Sequence, residues 1–368
     1  GVGTSKVKTL SPLSYFDHRR GLKDVGTDII RYKGNIYTTT LRALFKLEQG
    51  EFGGHFIPFN PEDFFEILSL DLMKDRMIIA CQRGLIAFDN KNFEFLDDQR
   101  LHYAKVSKDE TKVYVGSGEV GMGMYYQNGN SFEYINLEGF SEPIKKIEEL
   151  GDLIVLVSKY GTLGIVSHRF AKDTQYLKLE EEYQVGNAAI VPCGNKVLVV
   201  ARDAWYYIDQ TGKLSDPRPL ALSNKPAKIL QVVSANEEKL WVSYQDEERI
   251  NYNELVVINE GQMTATGLAF GSHFHVTSSF ADQDSVLWFI GDGGAVRYDQ
   301  KIPTVAEVTD FRCYISEMSW GKDSLIFENG FDVEPVVLPY DQTDIRFKFF
   351  TNEVNASEEK VFQYRLVG

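Results

Sequence analysis

The sequence predicts an all-β chain built from repeated sheets arranged about a common axis, and three observations predict it. A two-part phrase recurs seven times: a β-rich run, a few residues, then a second run ending in a turn-forming residue. The copies begin at Asn35, Arg76, Lys112, Leu153, Lys196, Lys239 and Ser285, with spacings of 41, 36, 41, 43, 43 and 46 residues. A period of about 40–45 residues carrying several short strands is what a propeller blade needs. Hydrophobic residues make up 43% of the 368, enough for a good core. No apolar run approaches the roughly 18 residues that carry a helix across a bilayer.

The elements follow in chain order. VKTLSPLSYF (7–16) has no other role, and the last copy runs from AVRYDQ into Lys301-Ile302-Pro303 without an outer strand of its own. An open row of sheets would leave unpaired edges, so the N-terminal strand is expected to close the last blade. The first blade then begins near Val25. Each repeat parses into four strands. In the second copy FFEILSL (64–70) is innermost, MIIAC second, LIAFD third and FEFLDD outermost, with Gln82-Arg83-Gly84 a tight turn. The first three strands are near-continuous apolar runs, as for sheets covered on both faces. Outer strands such as SFEYINL (131–137) and TQYLKL (174–179) alternate more.

Asp89, Gln127, Ser167, Asp209, Asn259 and Asp299 end third strands. Short polar side chains there can bond the following turn, and recurrence at one structural position favours that role over an active-site carboxylate. The repeats predict a seven-bladed β-propeller over residues 1–302. After Pro303 the strand-like runs TVAEVTDFRCYI, VEPVVLPY, DIRFKFF and VFQYRLVG lose the rhythm and predict a second small β unit over 303–368.

Charge and motifs exclude several functions. A net charge of -14 disfavours nucleic acid and anionic membrane surfaces, which need clustered Lys and Arg. Cys81, Cys193 and Cys313 form no metal or redox spacing, and Cys81 reads as a small buried hydrophobe. The start of the chain, GVGTSKVKTLSPLSYF, has no signal-peptide apolar region. GxSxG, HExxH, Walker and EF-hand patterns are absent, so no enzyme activity, cofactor or metal is expected. The Gly-rich GSGEVGMGM (116–124) has no helix after it and reads as a hairpin turn. His273 and His275 would share a face of a strand but lack a third ligand. Asp282 and Asp284 read as a solvated turn, and Glu180-Glu181-Glu182 as a solvated loop.

Binding is the better prospect. Turns joining second and third strands, with the loops between blades, collect on one face around the axis of such a ring. Arg83, Lys159, Tyr160, Arg202, Asp203, Trp205 and Asp292 are expected there, with Tyr244 and Arg249 around the long insertion Gln245–Asn253. The loops between blades add Tyr103, His273 and His275, together with His102 and Tyr183. Mixed aromatic and polar groups suit a sugar, whose C–H surface stacks on rings while polar groups take its hydroxyls. The insertion is the strongest single candidate, because insertions on one face of a repeat fold often mark its binding face.

The phrase SVLWFIGDGGAVRYDQ resembles the two-component regulator propeller repeat, and FDHRRGLKDVGTDIIRYKGNIYTTT resembles the usual entry to such propellers. LPYDQTDIRFKFFTNEVNASEEKVFQYRLVG is similar to the first half of the triple-tyrosine domain. Ile345, Phe347 and Phe349 match its Ile-x-Phe-x-Phe strand, and Phe362, Tyr364, Arg365, Leu366 and Gly368 its Tyr-x-Tyr-Arg-Leu-x-Gly run, with Phe362 in place of the first Tyr. The resemblance implies a partial Ig-like β-sandwich after the propeller. It also implies a non-catalytic extracytoplasmic sensor region, in the periplasm, of a bacterial membrane regulator, most often a hybrid histidine kinase. A carbohydrate ligand, an oligosaccharide, and a homodimer formed through this region are implied with it. Membrane attachment would run through a segment outside this chain. A protein-interaction scaffold is the alternative, and a polysaccharide-degrading propeller enzyme a further one.

Overall fold

The computed structural model describes residues 12–50, 53–59, 66–117, 121–128, 131–137, 142–160, 162–167, 170–177, 188–202, 204–234, 238–259, 261–270, 274–282, 285–302, 313–320, 323–326 and 345–351. The chain divides into two compact units, one of Leu13–Lys301 and one of Ile302–Gly368 with Gly1–Pro12.

The larger unit is an all-β propeller of antiparallel meanders. It opens with β1 (Leu13–Phe16) and a short 3-10 turn, His18–Arg20. The first meander is β2 (Gly26–Tyr32), β3 (Asn35–Thr40), β4 (Leu44–Gly50) and β5 (Gly53–Pro58). The second is β6 (Ile67–Met73), β7 (Arg76–Cys81), β8 (Gly84–Phe88) and β9 (Phe93–Asp97). The third is β10 (Tyr103–Val106), β11 (Lys112–Ser117), β12 (Gly121–Asn128) and β13 (Ser131–Asn136). The fourth is β14 (Ile144–Leu150), β15 (Leu153–Ser158), β16 (Leu163–Ser167) and β17 (Phe170–Leu177). Next come β18 (Ala189–Cys193), β19 (Lys196–Val200), β20 (Ala204–Ile208) and β21 (Arg218–Ala221). They are followed by β22 (Lys228–Ser234), β23 (Lys239–Gln245), β24 (Asn251–Asn259) and β25 (Gln262–Ala269). The last set is β26 (Val276–Asp282), β27 (Val286–Gly291) and β28 (Gly294–Asp299).

The expected separation into independent four-stranded sheets holds for five of them; β18 to β25 form one eight-stranded sheet instead. Its cause is local. β21 pairs with β20 at only two positions, Ala204↔Pro219 and Trp205↔Arg218, and then runs on to pair in parallel with β25 through Leu220↔Met263 and Ala221↔Thr264. The N-terminal latch forms as expected, on the shorter span β1: Leu13 pairs Tyr298 and Phe16 pairs Ala295, so β1 is the outer strand beside β28. Residues 7–11 of that stretch lie outside the described residues.

The innermost strands β2, β6, β10, β14, β18, β22 and β26 neighbour one another in that order, and β26 returns to β2. The core lies in the seams between sheets. Ile78, Ala80 and Leu85 of the second meander pack with Ala104, Val113 and Val115 of the third. Val155 and Val157 pack in the same way with Ile190, Val197 and Val199. Middle strands are apolar on both sides for this reason. The third-strand aspartates cap turns: Asp89 Oδ1 accepts from Lys91 and Asn92 amides at 2.8 and 2.7 Å, and Asp209 Oδ1 from the Thr211 amide at 2.9 Å.

In the second unit, β29 (Cys313–Trp320), β30 (Asp323–Ile326) and β31 (Ile345–Thr351) form an antiparallel sheet in the order β30-β29-β31. Ile345, Phe347 and Phe349 lie opposite Trp320, Met318 and Ile315. The runs 333–340 and 361–368 lie outside the described residues.

Candidate ligand site at the hub

A β-bulge places an extra residue near the start of five innermost strands, between Gly26/Asp28, Ile67/Ser69, Ile144/Lys146, Ile229/Gln231 and Val276/Ser278. Bulges re-aim side chains. The residue after the bulge and the one two positions on share a face of the strand, because the side-chain period is two. In these five strands the positions carry Asp28, Ser69, Lys146, Gln231 and Ser278, then Ile30, Asp71, Glu148, Val233 and Phe280; the corresponding residues of the unbulged β10 and β18 are Tyr103 and Ala189, then Lys105 and Val191. At these positions β2 to β14 therefore bring acids and amines to the hub, whereas β18 to β26 bring neutral groups.

Most of the polar side chains tie one sheet to the next. Thr27 Oγ1 donates to the Ile67 carbonyl at 2.7 Å, Ser69 Oγ to that of Ala104 at 3.1 Å, and Gln231 Nε2 to that of Thr277 at 2.7 Å. Asp28 spans three sheets. Its Oδ1 accepts from the Ile29 amide at 2.9 Å and Ser278 Oγ at 2.7 Å, and its Oδ2 from the Leu70 amide at 2.7 Å. Asp71 accepts from the Leu72 and Val106 amides, both at 2.8 Å, and meets Lys105 at 3.2 Å. Lys146 meets Glu148 at 3.5 Å.

Burial pushes the Asp28 carboxyl up to about 6, against hydrogen bonds from Leu70, Ser278 and Ile29 that favour its charged form. Burial, with the charges of Glu148, Asp71 and Asp28, raises the Tyr103 phenol well above its usual range. Burial alone would lower the Lys105 ammonium, but Asp71, Glu148 and Asp28 together hold it above its usual value. Asp28 has a consequence for stability. The unfolded chain releases this proton near pH 4 and the native state only near 6, so between those values the native state binds more protons. Stability is then expected to fall as pH rises through that window, by at most about 3 kcal/mol, and to level off above it. The check is the stability difference between wild type and Asp28→Asn in denaturant at pH 4 to 7. A difference that stays flat contradicts the assignment.

The edge of the ring at which innermost strands begin is also the edge of the turns between second and third strands. The Lys159 amide donates to the Pro143 carbonyl at 2.8 Å and the Asp292 amide to that of His275 at 3.1 Å. Arg83, Lys159, Arg249 and Asp292 are exposed there, as is Tyr160, 69% exposed. Arg202 reaches Glu247 of the next turn at 3.1 Å, Arg83 lies over Phe95, and His275 is half-buried. His102 sits below Lys159 and Arg100; burial and then those two cations hold its imidazole below the usual value.

Five of the expected placements are corrected. Trp205 is fully buried, its Nε1 donating to the Pro219 carbonyl at 2.9 Å and Arg218 covering its ring. Tyr244 is also fully buried, and its hydroxyl donates to the buried Glu254 at 2.8 Å; Glu254 in turn takes the Ser223 amide at 3.0 Å. Both aromatics hold seams together and offer no ring to a sugar. The insertion Gln245–Asn253 is ladder rather than open loop: Gln245 pairs Asn251, and Asp246 Oδ1 caps the turn from the Glu248 and Ile250 amides, each at 2.9 Å. Asp282 is no solvated turn residue. It is 2% exposed and takes Arg31 Nε and Nη2 at 2.6 and 2.7 Å. Tyr103 stands on an innermost strand at the hub rather than in a loop. Asp203, His273, Tyr183, Asp284 and Glu180–Glu182 lie outside the described residues.

The hub charges were missed in the sequence. TDIIRY (27–32) and IKKIEEL (144–150) carried the signal, as ionisable residues inside runs otherwise expected to be apolar. Among the described residues, no three His, Cys, Asp or Glu side chains are grouped to hold a metal ion. Among them, no helix is long and apolar enough to cross a membrane.

Fold and hub together define an all-β propeller with a one-sided polar axis. No protein-family profile matches the chain, and no curated protein matches it in sequence. Solved structures do match in shape. YCF48 bound to a D1 peptide aligns at TM-score 0.58 with 8% identity, over 79% of this chain and 98% of that one. Virginiamycin B lyase from Staphylococcus aureus aligns at 0.58 with 12% identity, over 78% and 98%. The WD40 propeller domain of Doa1 aligns at 0.55 with 8% identity, over 78% and 95%. At such identities the likeness concerns the fold alone.

Proposed function

We propose that this chain is a non-catalytic, ligand-binding sensor region, with its ligand seated over the hub at the edge where the innermost strands begin. The ring is read as seven blades, the eight-stranded sheet being two of them joined at the outer rim. The second unit is read as part of an Ig-like sandwich of the triple-tyrosine kind. Its parent would be a bacterial transmembrane regulator of the two-component type, with this region outside the cytoplasm, able to dimerise and responsive to an oligosaccharide. The resemblance of SVLWFIGDGGAVRYDQ, which forms β27 and β28, and of the Ile345–Phe349 strand supports that parentage.

One observation carries the binding reading. Each oxygen of the hub carboxylates Asp28 and Asp71 already accepts a backbone amide, and the third hub acid, Glu148, is paired with Lys146. An acid or base catalyst needs a free oxygen within reach of substrate. Lys145 and Lys228, nearer the mouth, carry no such duty among the described residues, so recognition fits the hub better than chemistry. Calorimetric titration with a panel of oligosaccharides tests this. Saturable heat, lost on charge-removing substitutions at the mouth, is expected; silence across the panel from the whole extracytoplasmic region would end the reading. Trp205, Trp241 and Trp288 are buried, which makes their fluorescence a poor reporter.

A second reading, a docking face for another protein, draws on one observation. Four exposed apolar side chains, Val25, Leu41, Tyr160 and Ile250, lie in loops of the mouth edge, while Phe95 and Ile135 are exposed on outer strands.

A further inference from the structure

We infer that the mouth of the hub is an anion site in which Lys145, Lys228 and Lys146 take one carboxylate, sulfate or phosphate group of a small ligand. The inference rests on the ligand-binding reading and narrows it to an acidic ligand.

Lys145 is the extra residue of the bulge in β14. Its counterparts in β2 and β26 are Thr27 and Thr277, whose hydroxyls donate to carbonyls of adjoining innermost strands, Ile67 and Gly26. The counterparts in β6 and β22 are Leu68 and Leu230. Only in β14 does the bulge present a charge. Among the described residues no carboxylate or carbonyl meets the Lys145 ammonium. The groups that act on it are Lys228, on β22, and its neighbour Lys146. β22 does not adjoin β14 in the ring; β18 stands between them. Lys145 and Lys228 stand at the starts of β14 and β22, so both are carried at the mouth edge of the ring.

The other neighbours do not neutralise this cluster. From β10, Tyr103 and Lys105 face the deeper tier, where Lys105 is paired with Asp71. On β14 itself Glu148 is taken by Lys146. β18 carries no acidic side chain, and β15 carries none either. At the rim stand Lys159, Arg100 and His102 together with Glu66, and Glu142, just before β14, accepts from Thr162 Oγ1 at 3.0 Å. Protein surrounds Lys145 on most sides, and an enclosed ammonium without a counter-charge is costly. Burial, then Lys228 and Lys146, bring its ammonium down to about 8. A bound oxyanion would supply the missing charge and raise that value again. Lysines suit the task because each is a mobile point charge that adapts to carboxylate or tetrahedral anions alike.

The test uses the intact chain with lysines 13C-dimethylated, followed by NMR during titration with sodium sulfate, D-glucuronate and neutral D-glucose, in wild type, Lys145→Met and Lys145→Arg. Sulfate and glucuronate are expected to shift the Lys145 signal saturably and raise its titration midpoint. Affinity should fall about tenfold per pH unit once Lys145 loses its proton. Lys145→Met should bind either anion at least about tenfold more weakly. Lys145→Arg should bind without the loss at high pH. Tighter sulfate than glucuronate points to a sulfated or phosphorylated group, and the reverse to a carboxylated sugar. Equal binding by wild type and Lys145→Met, or no saturable shift with either anion, overturns the inference. If neutral oligosaccharides still give heat in the calorimeter, the ligand-binding reading survives that outcome; if they do not, both fall.

Discussion

Asp282→Ala is expected to cost the propeller about 2–4 kcal/mol, because it takes the acceptor from the half-buried Arg31 guanidinium and from the buried Trp288 Nε1 at the seam where the ring closes. Asp282 ends β26 and Arg31 lies near the end of β2, so the pair joins the last meander to the first. The carboxylate is 2% exposed, bonds Arg31 in bidentate fashion at 2.6 and 2.7 Å, and also accepts from Trp288 Nε1 at 3.2 Å. Removing it leaves both donors without their acceptor. Urea denaturation of wild type, Asp282→Ala, Arg31→Met and the double variant gives the coupling directly. The double variant should recover part of the loss, since two apolar groups avoid the stranded charge. A loss under about 1 kcal/mol for Asp282→Ala would mean that the seam is held by packing alone.

Gly294→Ala should be at least as damaging. Gly294 begins β28 with φ of 129°, a conformation open in practice only to glycine. A Cβ there would stand 2.0 Å from the Phe16 carbonyl oxygen, inside any tolerable contact. The only relief is retreat of Phe16, which carries β1 away from β28. Phe16 is 5% exposed and packs on Phe56 and Trp288 at ring separations of 5.6 and 5.3 Å. Losing that ring costs about 3–5 kcal/mol on its own, with about 1–3 kcal/mol of backbone strain added. Gly293→Ala is the control. Its φ is also positive, at 87°, but nothing lies within 4 Å of its added Cβ, so only strain remains. Thermal unfolding with limited proteolysis around Pro12 should separate the two variants widely. Similar behaviour of both would show that the latch adds little.

The fold was legible where side chains face neighbouring sheets on both sides. Ile78, Ile79 and Ala80 are fully buried, so the second strand of that meander cannot be other than apolar, and the recurring phrase records it. The latch was legible by elimination, because β28 lacked a partner in its own repeat. Joining of β21 to β25 was not legible, since it depends on how far a four-residue strand strays from β20. The hub was hidden for another reason. An acid such as Asp28 or Asp71 in an innermost strand reads as an exception to the pattern unless its acceptors across the seam are known. Trp205 and Tyr244 lie next to rim turns in sequence, yet their rings point into the seams. Adjacency to a turn does not fix which face a strand residue takes, because a shift of one position reverses it.

The parallel contact between β21 and β25 also decides where the rim is open to outsiders. An outer strand normally offers a row of spare amides and carbonyls to any visiting extended segment. At Leu220 and Ala221 that row is turned inward on Met263 and Thr264. Adhesion by strand addition, whether wanted or not, is thereby steered to the borders formed by β1, β5, β9, β13 and β17, each of which terminates a sheet of its own.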